Sequence, residues 1–64
     1  MFYTWLTDQR TRTDSVGLLA LLAQSDPHFP KHTSRLYLLL RWCAGHDALR
    51  HSVKVAHREW RATQ

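Results

Sequence analysis

Residues 15 to 24, SVGLLALLAQ, set the tightest limit on what this chain can fold into. Wound as a helix they are apolar on every side, and a 64-residue chain has no interior large enough to surround such a helix. A domain of this length buries only about 60% of the surface that its unfolded chain exposes. One side of the helix must stay open to solvent or be covered by another molecule. Val16, Leu19, Ala20 and Ala23 follow the i, i+3, i+4, i+7 rule and are assigned to the core. Leu18, Leu21 and Leu22 then fall on the other side.

No segment alternates with the period of two that a half-buried strand requires, so the fold class is all-α, a compact bundle of four helices in a single domain over residues 1–64. The first helix is expected from Phe2 to Gln9, with Phe2, Trp5 and Leu6 turned inward. A polar link, RTRTD, ends at Asp14, whose carboxylate is placed to cap a second helix from Ser15 to Gln24. The prolines of SDPHFP stop that helix, and Phe29 is expected to plug the core from the loop. Thr33 or Ser34 is expected to cap a third helix running to Ala44, with Leu36, Leu39, Leu40 and Cys43 on its inner stripe. Gly45 suits the left-handed turn that ends it. Asp47 is expected to cap a fourth helix ending near Thr63, whose inner stripe is Leu49, Val53, Ala56 and Trp60.

Three Trp, two Tyr and two Phe supply the buried area that a short chain otherwise lacks. Cys43 stands alone, which excludes an internal disulfide and points to an intracellular, cytoplasmic protein. The opening MFYTWLTDQR has no basic region followed by an apolar run, so no secretory signal is read there. The apolar runs fall short of the roughly 20 residues of a membrane span. A net charge of +4 permits an anionic partner.

Four ordered landmarks resemble the YozE family, small bacterial proteins with a fold similar to sterile alpha motif (SAM) domains. FYTWL is similar to that family's F-Y-x-W-L opening. DSVGLLA, through Asp14, Val16, Gly17, Leu19 and Ala20, is similar to D-P-V-G-x-L-A, and SDPHFP to D-P-x-F-P through Asp26, Phe29 and Pro30. Trp60 matches a late Trp on the last helix. The resemblance spans nearly the whole chain. It implies a SAM-like bundle, with Gly17 at a close helix approach, and nucleic-acid binding as the family's suggested activity. The departures are Ser15 in place of a common Pro, leucines at 18, 21, 22 and 38 where the pattern is mostly polar, and a basic last helix where relatives are often acidic.

Two surfaces follow as candidates. Leu18, Leu21 and Leu22, extended by Tyr37 and Leu38 of the third helix, form a leucine-rich interface for a protein partner or a second copy of the chain. Arg50, Lys54, His57, Arg58 and Arg61 form a basic stripe along the fourth helix, opposed on that helix only by Glu59, and suited to the phosphates of double-stranded DNA. No zinc finger or aromatic stacking platform accompanies it. Metal binding is not expected: His28, His32, His51 and His57 are scattered, and although Cys43 and His46 are close in sequence, the thiol points at the core. No nucleophile with a partnered base, paired carboxylates or phosphate loop is visible, so neither catalysis, a cofactor nor a small-molecule substrate is expected. The chain reads as a non-catalytic binding module that uses the leucine surface, with nucleic-acid binding by the basic stripe as the alternative.

Overall fold

The computed structural model describes residues 1–64, which form four α-helices and no strand: α1 (Phe2–Thr7), α2 (Ser15–Ser25), α3 (Leu36–Trp42) and α4 (Asp47–Ala62). α4 is the hub. It packs against each of the other three, α1 also packs against α2, and the α2 and α3 backbones do not approach closely. The molecule measures 26 × 23 × 20 Å, about two helix diameters in any direction. Every helix must therefore show one face to solvent.

The inward faces are those the periodicity selects. Phe2 and Leu6 of α1, Val16, Leu19, Ala20 and Ala23 of α2, Leu39 of α3, and Val53 and Ala56 of α4 are buried in one cluster. Cys43 joins them from the end of α3, and Phe29 from the α2–α3 loop. Leu36, Leu40, Leu49 and Trp60 are half-buried against this cluster. Burial pushes the Cys43 thiol pKa upward, so it is held as the neutral form.

Two glycines do what only glycine can. Gly45 has φ 85° and closes the turn before α4. Gly17 lies where the link from α1 crosses α2: a Cβ there would collide with the Arg12 carbonyl oxygen and come within 2.9 Å of the Arg12 Cβ.

Asp14 caps α2 as expected, accepting the Gly17 backbone N–H at 3.1 Å. The other two caps differ from expectation. α3 starts at Leu36 behind Arg35, without a side-chain cap, because both candidate hydroxyls are engaged elsewhere. Thr33 Oγ1 accepts the Arg35 N–H, and Ser34 Oγ reaches across the molecule to accept the N–H of Phe2 at 3.0 Å. α4 starts one residue early, behind His46, so Asp47 lies inside its first turn without capping it. There the carboxylate still favours the positive end of the helix. α1 ends at Thr7, and α3 at Trp42, two residues before the expected end in each case.

Two carboxylates give the fold a defined acid dependence. Arg12 donates to Asp14 at 2.6 Å, and this ion pair, with the Gly17 N–H, lowers the Asp14 pKa. The His28 N–H and then the Trp42 indole N–H lower that of Asp26. A group whose pKa falls on folding adds stability above its unfolded value, about 3.9 for Asp, and loses it as pH falls through the folded value. Urea unfolding is therefore expected to show stability dropping below about pH 4. The fall should be shallower in an Asp14→Asn, Asp26→Asn double variant; an equally steep fall would remove both carboxylates as its source.

Two candidate interaction surfaces

Leu18, Leu21 and Leu22 stand open to solvent on α2, 59%, 51% and 38% exposed. They sit at i, i+3 and i+4, so they form one ridge on a helix whose other side is buried. α2 carries no charged residue between its two ends. Leu18 and Leu21 border a shallow depression with Arg12, Thr13, Asp14 and Ser15. Leu22 borders another with Asp26, Pro27, Trp42 and Leu49. The ridge is thus bordered by polar groups beside Leu18 and continues past Leu22 toward Trp42 and Leu49.

Tyr37 and Leu38 do not extend it. Neither lines a depression with any of the three ridge leucines, and the α3 residue that does is Trp42, beside Leu22. Tyr37, 59% exposed, lines a concavity with Arg35, Leu36, Trp60 and Arg61 instead. Leu38 is half-buried and turns to the α2–α3 loop, beside Pro30, Arg41 and Trp42.

The basic surface also differs from the expected stripe. Lys54, Arg58 and Arg61 are exposed and line one concavity with Leu36. Arg50 is half-buried and borders neither basic concavity. His57 reaches the edge of both concavities but is held mostly beneath the surface. It is 8% exposed, its ring lies 5.7 Å from Phe2 and 5.4 Å from Trp60, and Nε2 is 2.8 Å from the Ser34 carbonyl oxygen. A carbonyl only accepts, so Nε2 carries the hydrogen. The 3.6-residue period places position 57 at the seam between the buried and charged faces, and the unpaired Ser34 carbonyl pulls the ring inward.

Sequence reasoning missed Arg35, which α3 brings to the same side as Arg61. Its only signal was its place at the start of the third helix. Glu59, the acid on the body of α4, leaves the basic surface and pairs with Arg12, Nη1 donating to Oε1 at 3.0 Å. Arg12 thus joins Asp14 and Glu59, tying the α1–α2 link to α4. No acid lines either concavity, and the cations there remain uncompensated.

Three shorter helices around a long last one, with the α2 N-terminus crossed closely by the α1–α2 link, define a SAM-like bundle. The profile of the YozE SAM-like fold matches residues 1–62, and the chain belongs to that family. None of the curated proteins and none of the solved structures matches it. No helix is long and apolar enough to cross a membrane.

Proposed function

We propose that this chain is a non-catalytic binding module whose α2 ridge, Leu18, Leu21 and Leu22, docks on a protein surface, either a second copy or a larger partner. The exposure of three adjacent leucines on a charge-free helix supports this best. Burying one leucine contributes roughly 1.5 to 3 kcal/mol, so the ridge contributes several kcal/mol against the entropy cost of association. The outward position of Leu21 means that Leu21→Glu spares the core. The wild type should show a mass that rises with concentration in sedimentation, or a protein adduct when a photoreactive side chain replaces Leu21 in cells. Leu21→Glu should abolish either signal with helix content unchanged. A chain that stays monomeric and whose position 21 gives no more adduct than exposed Thr4 on α1 would overturn the proposal.

A second activity is supported by a different observation, the acid-free grouping of Arg35, Lys54, Arg58 and Arg61. These four cations suit the backbone of duplex DNA. Binding should weaken steeply with salt, with a log–log slope of roughly −3 to −4 if three or four phosphates are neutralised. Lys54→Glu with Arg58→Glu should remove gel retardation. A duplex that is not retarded at low salt, or a variant that retards it as well as the wild type does, excludes this activity.

A further inference from the structure

The α2–α3 loop, with its DPHFP sequence, meets the leucine ridge only at Asp26 and Pro27, and the rest of it serves neither surface. Asp26 organises it: Oδ1 accepts the His28 backbone N–H at 2.8 Å and Oδ2 the Trp42 indole N–H at 3.0 Å. Trp42 stands edge-on to the buried Phe29 ring, 4.8 Å between centroids. Lys31 is held over the Tyr3 ring, its Nζ 5.6 Å from the centroid. Between this loop and α3 runs an open groove of about 660 Å³. Its apolar surface comes from Leu38, Trp42, Pro27 and Pro30, its charge from Lys31 and Arg41, and no acid lines it.

We propose that this groove binds a short, extended acidic peptide segment carrying an apolar side chain. Each part of that ligand has its complement: the apolar side chain meets Leu38 and Trp42, and its carboxylates meet Lys31 and Arg41. The groove is open to solvent, which suits a peptide lying on it better than an enclosed small molecule. Two cations beside an apolar floor also fit a peptide better than a nucleic-acid backbone, which wants a row of charges and no floor. Trp42 and Lys31 are already fixed by contacts within the chain, so less order must be imposed when the ligand arrives. Pro27 and Trp42 also border the depression beside Leu22, but no ridge leucine and no α4 cation lines the groove, so the proposal stands apart from both surfaces.

The test is an NMR titration of the ¹⁵N-labelled chain with a synthetic heptapeptide of alternating acidic residues and leucine. The amide shifts should saturate and be confined to residues 27–33 and 38–42. Replacing the acids by Gln and Asn should weaken binding on the order of tenfold. Arg41→Glu, at an exposed position, should do the same without altering the rest of the spectrum, and Lys31→Glu gives an independent second variant. Absence of saturation at millimolar peptide, equal binding of the neutral peptide, or tighter binding of a short duplex DNA at the same residues would each overturn it.

Discussion

Phe2→Ala is expected to leave the chain largely unfolded at 25 °C, with the helical circular dichroism signal lost or its melting broadened and shifted far down. Phe2 is fully buried and is the ring around which the ends of the bundle meet: Trp5, His57 and Trp60 lie 5.9, 5.7 and 5.9 Å from it. Truncating a buried Phe costs about 3 to 5 kcal/mol. A chain of this length holds only about 3 to 10 kcal/mol in total, so one side chain near the terminus decides whether it folds. The comparison is Leu18→Ala, on the exposed ridge, which should change stability by no more than about 0.5 kcal/mol. Equal losses at the two positions would show that the core is not where Phe2 sits.

Gly17→Ala should be the second most damaging change, although a helix interior normally gains about 1 kcal/mol from that replacement. The added methyl meets the backbone and side-chain stem of Arg12, with no flexible tip that could step aside. The α1–α2 link must then move, and it carries the Arg12 guanidinium that joins Asp14 to Glu59. Overpacking typically costs about 1 to 3 kcal/mol, and with backbone atoms as the obstacle the cost belongs at the upper end, so the net loss is expected to be about 2 kcal/mol after the propensity gain. Urea unfolding measures it directly. A variant more stable than the wild type would mean that the link does not cross α2 as closely as described.

What the chain reveals before folding is what neighbours in sequence decide. Val16, Leu19, Ala20 and Ala23 point inward because helical period alone sorts them from Leu18, Leu21 and Leu22. The Asp14 cap, the Phe29 plug and the left-handed Gly45 are equally local, each resting on a few adjacent residues. The misplaced features depend on partners far along the chain. Ser34 was expected to cap its own helix, but the N–H of Phe2 is 32 positions away and claims its hydroxyl. His57 sits at a seam where period cannot choose, and the Ser34 carbonyl chooses for it. Glu59 finds Arg12 at 47 positions' distance. The edges of the leucine surface and of the basic surface shifted for the same reason: Tyr37 left the first and Arg35 joined the second, because the placement of α3 is tertiary.

The lone Cys43 gives this small bundle a native timer. The residue is 1% exposed, its sulfur within 3.7 Å of the Leu39 carbonyl oxygen and 3.5 Å of that of Leu40, and its environment disfavours the reactive thiolate. An alkylating reagent can modify it only during excursions that lift the end of α3 away from α4. The rate of labelling therefore counts those excursions, and a ligand that clamps α3 should slow the count with no dye or engineered probe attached.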